Sequence, residues 1–285
     1  MGRVEREKTE GSGKITMNKK SGQRVYPGIL TFGLISIVLV FSVAAFPKVK
    51  RMPLTKVQQP GPSADWILAR VDENIASGNK IIQARMTIHG RRGSRHFEFK
   101  SYIQGEEKAF TEFLAPAREK GTKMLKLGDQ LWAYTPAADR VILISGHMLR
   151  QSVMGSDLSY EDMMEDRRLL KMYEARVIGE EIRLGADCWV LELKAKMPDV
   201  AYSARKIWVD KEKFIVLREE RFARSGALLK LAEVKKIGQF QKRWVPVKAV
   251  YKDVLKEGDG TEFIIDAIEF DAPIPDYIFT KAALK

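Results

Sequence analysis

The stretch Ile82-Gln-Ala-Arg-Met-Thr-Ile-His89 alternates apolar and polar side chains, a period of two that is typical of a half-buried β-strand. Gly90-Arg-Arg-Gly93 follows it as a turn, because glycine adopts backbone conformations that other residues rarely reach. Phe97, Phe99 and Ile103 then continue the alternation. The stretch therefore predicts a β-hairpin with one apolar face, and it sets the pattern for the rest of the chain.

Segments with the same alternation recur at short spacing from about residue 107 to residue 270, and turn residues such as Gly258-Asp-Gly260 separate many of them. The sequence predicts about eleven antiparallel strands that meander through one strongly curved sheet or open barrel. The predicted fold class is therefore mainly β with a few helices.

One helix is predicted before the first strand. Ser63 is a suitable N-cap, and the apolar residues that follow it lie on one helical stripe, namely Ile67, Leu68, Val71 and Ile75. The Pro- and Gly-rich residues 58–63 are typical of a linker.

An uncharged apolar segment lies near the amino terminus, from Ile29 to Phe46. Basic residues precede it and small residues end it, which is the layout of a signal peptide. It is also just long enough to span a bilayer as an uncleaved inner-membrane anchor. We therefore expect residues 1–45 to hold an extension and a signal peptide or anchor, residues 46–63 a linker, and residues 64–285 an exported, periplasmic domain. Met17 is a more natural start of translation than Met1.

The net charge of +12 is spread over the chain: residues 1–46 contribute +4 and the remainder +8. A basic surface can attract anionic phospholipids or nucleic acid, but export argues against a nucleic-acid partner. Cys188 is the one cysteine, so an internal disulfide is excluded and an inert thiol in a buried strand is predicted.

Residues 146–170 depart from the strand pattern. Ser159 and Asp162 have the spacing of a capping box, which predicts a short helix from Tyr160 to about Glu165. Five of the eleven methionines lie between Met148 and Met172, and methionine suits surfaces that accept irregular apolar partners. The segment is either a helix packed across the open face of the sheet or a mobile lid over a lipid cavity, and the two readings are compatible.

No catalytic or metal-ligating pattern stands out, and the three histidines lack metal-ligand spacing. Ser156 and Asp157 are expected to bond the backbone of the turn that enters the short helix. We expect no enzyme activity, no cofactor and no metal. The acidic residues of this region are expected to be solvated partners of neighbouring arginines: Asp162, Glu165 and Asp166 with Arg167 and Arg168.

Several motifs resemble one family over about residues 64–280, the LolA-like outer membrane lipoprotein-sorting proteins. The most specific of them is Arg150-Gln-Ser-Val-Met-Gly-Ser-Asp-Leu-Ser-Tyr-Glu-Asp162. The others are Phe113-Leu-Ala-Pro116, Gly121-Thr-Lys-Met-Leu125, Leu131-Trp-Ala-Tyr-Thr-Pro136 with Arg140, Trp208-Val-Asp210 and Phe270-Asp-Ala-Pro273.

The resemblance implies an unclosed antiparallel β-barrel with a helical lid, and an apolar cavity that takes acyl chains. The candidate cavity or lid residues are Trp132, Tyr134, Met154, Tyr160, Met163 and Met164. The candidate residues that shape the lid are Arg150, Gln151, Gly155, Ser156, Asp157 and Asp162. The basic residue with which the carriers contact acyl chains matches no position here.

Two functions remain open at this point. The first is a monomeric periplasmic carrier of lipoprotein acyl chains or another envelope lipid, loaded by an inner-membrane transporter and delivering to the outer membrane. The second is a membrane-tethered sensor or protein-interaction module with the same fold. A retained anchor at residues 29–46 favours the second, and cleavage favours the first.

Overall fold

The computed structural model describes residues 61–76, 78–90, 93–165, 168–198 and 200–285. The predicted export segment at residues 29–46, the start at Met17 and most of the predicted linker lie outside these residues. None of the helices in the described part of the chain is both long enough and apolar enough to cross a membrane.

Within these residues, thirteen strands form one antiparallel sheet. They are β1 (Asn79–Gly90), β2 (Gly93–Gln104), β3 (Lys108–Ala115), β4 (Lys123–Leu127), β5 (Gln130–Thr135), β6 (Arg140–Ile144), β7 (Tyr173–Arg183), β8 (Ala186–Ala195), β9 (Ala204–Asp210), β10 (Val216–Phe222), β11 (Leu228–Phe240), β12 (Arg243–Asp253) and β13 (Gly260–Phe270).

The order across the sheet is β6-β5-β4-β3-β2-β1-β13-β12-β11-β10-β9-β8-β7. β1 pairs with β13, so the first and last strands join two meandering halves, and β6 and β7 are left as open edges. This confirms the predicted mainly β, unclosed antiparallel sheet. The described residues form thirteen strands, two more than the expected eleven.

Directly paired residues of neighbouring strands share a face of the sheet. One such row crosses seven strands, and its members are Leu191, Ile207, Glu219, Ala232, Tyr251, Thr261 and Ile88. We call the face that carries this row the inner face and the opposite one the outer face.

Two segments pack on the inner face. The helix α1 (Ala64–Ile75) buries Ile67, Leu68 and Val71 against Leu191 and other apolar residues of β8 and β9. Its N-cap is Ser63, as predicted, whose side chain accepts a hydrogen bond from the Trp66 backbone N–H at 3.2 Å. The second segment joins β6 to β7 and contains α2 (Tyr160–Met164) and α3 (Leu169–Met172).

The outer face is covered differently in its two halves. The carboxyl-terminal residues 273–285 pack Phe279 and Leu284 against Phe110 and Leu125 of β3 and β4. On β8, Cys188 is fully buried in an apolar cluster on this face, and burial raises the pKa of its thiol to about 11. The prediction of a packed thiol in a buried strand is confirmed.

Candidate functional site

The segment that joins the two open edges, residues 146–172, is here called the lid; Asp166 and Arg167 within it are not described. Two short 3-10 turns, Gly146–Arg150 and Val153–Gly155, precede α2. The predicted capping box is confirmed, because the Ser159 hydroxyl accepts from the Asp162 backbone N–H at 3.2 Å and Asp162 accepts from the Ser159 backbone N–H at 2.7 Å. The local sequence thus starts α2 at Tyr160.

The lid covers the inner face of β1–β6. Four of the predicted residues, Met154, Tyr160, Met163 and Met164, pack together against a cluster of buried apolar side chains. The sheet contributes Ala84, Met86, Ile88, Phe97, Phe99, Phe113, Met124, Leu131, Ala133 and Ile144 to that cluster. The apolar inner face is therefore closed by flexible thioethers and one tyrosine ring.

The other two predicted residues, Trp132 and Tyr134, lie on the outer face. They belong to the cluster that packs under the carboxyl-terminal residues, where the Lys281 ammonium lies 3.5 Å from the centre of the Trp132 ring. Leu131 and Ala133 face the lid instead. The reason is the alternation of β5, which sends neighbouring side chains to opposite faces.

The residues of the lid motif differ in their exposure and in their contacts. Arg150 and Gln151 are exposed, although the Gln151 carbonyl accepts from the Tyr160 backbone N–H at 3.1 Å and closes the loop between them. Gly155 has a φ of +75°, and a Cβ there would lie 2.7 Å from Nη2 of Arg95. The positive φ favours glycine at this position, and the neighbouring atoms belong to the flexible end of the Arg95 side chain.

Ser156 and Asp157 are buried beneath this loop. The Ser156 hydroxyl bonds the backbone of Leu158, as predicted for a turn-shaping residue. Asp157 differs from the prediction, because its carboxylate accepts from the Thr261 hydroxyl at 2.7 Å and from the Asp253 backbone N–H at 2.9 Å. It fastens the lid to β12 and β13 rather than shaping its own turn.

Asp162 lies at the centre of a buried polar cluster, and its side chain is only 3% exposed. Its carboxylate accepts hydrogen bonds from the Tyr202 hydroxyl at 2.6 Å, from Arg221 at 2.9 Å and from Lys230 at 3.0 Å. The Ser159 backbone and hydroxyl donate two more. Burial alone would raise the pKa of Asp162, but the two cations and these hydrogen bonds outweigh it and lower the pKa to about 2.

Glu165, at the end of α2, pairs with Arg205, whose side chain is 3% exposed. Arg205 also binds Glu219 at 2.6 Å, and Arg221 binds the other oxygen of Glu219 at 2.9 Å. Burial raises the pKa of Glu219, but the two guanidinium groups lower it to about 2. We call these residues the ion cluster: Asp162, Glu165, Tyr202, Arg205, Glu219, Arg221 and Lys230.

The expectation that Asp162 and Glu165 are solvated partners of neighbouring arginines is therefore wrong. Their partners lie on β9, β10 and β11, far away in sequence. Arg205, Arg221 and Lys230 were not predicted as site residues. Charged residues that alternate with apolar ones along a strand are also typical of a solvent-exposed face of a sheet. Asp166 and Arg167 lie outside the described residues.

No group of three or more His, Cys, Asp and Glu side chains could hold a metal ion in the described ranges of the chain. The hydrogen bonds of Asp157 and the ion cluster fasten the lid to the sheet, and the apolar cluster fills the space below it.

A family model with the description "uncharacterized protein" matches residues 105–285. No curated protein matches the chain. Among solved structures, a DUF1329 family protein from Desulfovibrio piger is 26% identical, with a TM-score of 0.72, over 78% of this chain and 97% of that one.

Two further solved structures share the fold. One, from Vibrio parahaemolyticus, is described as an outer membrane lipoprotein-sorting protein domain; it is 24% identical, with a TM-score of 0.68, over 77% of this chain and 97% of its own. The other is a LolA superfamily protein from Nitrosomonas europaea, 23% identical, with a TM-score of 0.65, over 78% of this chain and 99% of its own. The chain belongs to the family of the matching model, and its fold is that of the LolA-like outer membrane lipoprotein-sorting proteins.

Proposed function

We propose that this protein is a carrier that binds the acyl chains of a lipid or an acylated lipoprotein between the inner face of the sheet and the lid. The observation that supports this most is the apolar inner face of β1–β6, closed by Met154, Tyr160, Met163 and Met164 of the lid. Acyl chains need a dry apolar wall of this kind.

The energetics favour exchange of the lid for a ligand. The four lid side chains are half-buried, so uncovering each costs about 1 kcal/mol, or roughly 4 kcal/mol together. Each methylene of an acyl chain that takes their place contributes about 0.8 kcal/mol. A chain of a dozen carbons therefore contributes roughly 10 kcal/mol, more than the cost of uncovering these four side chains.

The proposal includes no chemical step. Ser156 of the lid motif is fully buried, and its hydroxyl bonds the backbone of Leu158. Activation of a serine needs a base within hydrogen-bond reach, and this hydroxyl is already committed to the backbone. We propose a binding protein rather than an enzyme.

We further propose that the domain of residues 64–285 works in the bacterial envelope. The apolar segment at residues 29–46 would direct its export, as a cleaved signal peptide or as an inner-membrane anchor. A cleaved, monomeric domain could receive its cargo from an inner-membrane transporter and release it at the outer membrane.

The experiment is native mass spectrometry, with lipid extraction, of the full chain after expression in a bacterial host. We expect acyl lipid or acylated protein to co-purify with the wild type. Met163→Asp places a charge in the apolar cluster beneath the lid and should abolish this cargo. Met197→Asp is the matched control, because Met197 is 53% exposed and lies outside that cluster.

Circular dichroism would establish that both variants keep the fold. A wild type without cargo that also ignores added phospholipid and acylated peptide would overturn the carrier proposal. That result would favour the sensor or protein-interaction module instead.

A further inference from the structure

Three cations lie side by side on the inner face, where they contact Asp162 and Glu165 of the lid. Arg205 on β9 pairs directly with Arg221 on β10, and Arg221 pairs directly with Lys230 on β11. Like charges in directly opposite positions of a sheet destabilise it. This row of cations therefore requires anions close by.

The sheet supplies only part of the required negative charge. Glu219 binds both arginines, and Asp253 lies 3.9 Å from Lys230. The remaining carboxylates come from the lid, as the contacts of Asp162 and Glu165 show.

Opening of the lid would change the charge of this region. Outside the lid are four cations and two carboxylates: Arg205, Arg221, Lys230, Lys256, Glu219 and Asp253. The lid adds three carboxylates, Asp157, Asp162 and Glu165. Departure of the lid would therefore remove these three negative charges from beside the cations.

Three donors that remain on the body of the protein converge on the place of the Asp162 carboxylate. They are the Tyr202 hydroxyl, the Arg221 guanidinium and the Lys230 ammonium, at 2.6, 2.9 and 3.0 Å from it. A guanidinium and an ammonium with one more hydrogen-bond donor match the oxygens of a phosphate. Leu158, Arg221, Lys230 and Tyr251 also line a small pocket beside the lid.

The cation row lies next to the proposed acyl-binding surface. Asp162 belongs to the same helix as Tyr160, Met163 and Met164, which cover that surface. One displacement of α2 would therefore uncover the cations and the apolar wall together. The exposed surface would be apolar along β1–β6 and cationic along β9–β11.

We propose that the cargo is an anionic amphiphile, and that its phosphate group takes the place of the Asp162 carboxylate on Tyr202, Arg221 and Lys230 while its acyl chains take the place of the lid side chains. In the empty protein, the lid carboxylates occupy the phosphate site. This inference rests on the proposed function and adds to it the class of the lipid.

The test compares two lipids with identical acyl chains, dioleoyl phosphatidylglycerol and dioleoyl phosphatidylcholine, on the delipidated full chain. We expect the wild type to bind the anionic lipid at least tenfold more tightly, and this preference should shrink at high salt. Lys230→Gln should bring the two affinities to within about threefold of each other. Asp162→Asn should act in the opposite direction, because it weakens the group that competes for the site, and should raise the affinity for phosphatidylglycerol.

The opposite signs separate this inference from a merely structural role, in which both variants would change the binding of both lipids alike. If Lys230→Gln does not fold, the Asp162→Asn comparison and the salt dependence of the wild type still test whether the lipid phosphate binds at this site. Displacement of phosphatidylglycerol by millimolar inorganic phosphate would show a site for free phosphate and would overturn the lipid assignment.

Failure of this inference differs from failure of the proposed function. If both lipids bind equally and Lys230→Gln changes neither affinity, the proposed phosphate site is wrong, but the carrier proposal is unaffected. Binding of neither lipid would remove the carrier itself.

Discussion

Replacing Asp162 by asparagine keeps the size of the side chain and removes one buried negative charge from the contact between the lid and the sheet. The carboxylate accepts five hydrogen bonds, and two of the donors are the cations Arg221 and Lys230, which are 13% and 15% exposed. The NH₂ group of asparagine would face one of these hydrogen-bond donors and could not accept a hydrogen bond from it. Arg221 and Lys230 would then each lose a charged partner in a largely buried site.

The structure gives two estimates of the cost. Loss of one partner of a buried ion pair costs about 3–5 kcal/mol. The lowering of the Asp162 pKa from 3.8 to about 2 corresponds to roughly 2 kcal/mol of preferential stabilisation of the charged form. We expect Asp162→Asn to lower the free energy of lid opening by about 3 kcal/mol, because Lys230 and Arg221 lie near the surface and regain some hydration.

Hydrogen exchange with mass spectrometry measures this directly. A loss of about 3 kcal/mol predicts roughly 100-fold faster exchange of the amides of α2, with the amides of β1 and β2 unchanged. The control is Glu161→Gln, one position earlier on the same helix; within the described residues, no hydrogen bond or ion pair involves the Glu161 side chain. Exchange of α2 in Asp162→Asn within twofold of the wild type would refute the reasoning.

Three further predictions follow from the same contacts. Asp162 has a folded pKa of about 2, below its ordinary value, so its contribution to stability is complete above about pH 4 and is lost between about pH 4 and pH 2; urea unfolding at several pH values should show this loss in the wild type and a smaller one in Asp162→Asn. Gly155→Ala should lower the free energy of unfolding by about 1 kcal/mol, because φ is positive, whereas the flexible end of the Arg95 side chain can move away from the new methyl group. Gly226→Ala, at a similar φ in open space, should cost about as much in thermal unfolding, and a much larger cost at Gly155 would contradict this expectation. Trp132→Ala should lower stability by about 3 kcal/mol and leave lipid binding intact, whereas loss of binding in a folded variant would place Trp132 in the cavity after all.

The strands and the start of α2 could be predicted from the sequence because they depend on local rules. The alternation around Met86 identifies a strand whatever its neighbours are, and the spacing of Ser159 and Asp162 identifies a helix start. The methionine content of residues 148–172 also predicted correctly that this segment packs on an apolar surface of the sheet.

The face that each side chain occupies could not be predicted in the same way. Alternation shows that Leu131 and Trp132 point in opposite directions, but both faces of β5 are apolar because the carboxyl-terminal residues cover the outer one. The large aromatic side chain of Trp132 therefore does not indicate which face of the sheet borders the cavity.

The ion cluster was missed for a related reason. Arg205, Arg221 and Lys230 become neighbours only through the pairing of β9, β10 and β11, and a single sequence does not state the register between strands. Their burial also depends on the lid, whose position is fixed by contacts that span about 40 to 100 residues of sequence.

The account depends on acyl chains lying between the inner face and the lid, and photo-crosslinking tests this most directly. The probe is phosphatidylglycerol with a diazirine at the end of one acyl chain, bound to the full chain and mapped by mass spectrometry of peptides. The account predicts labels on lid residues such as Met163 and on inner-face residues such as Phe99. Labels confined to the outer face around Trp132, or no labels at saturating lipid, would contradict it.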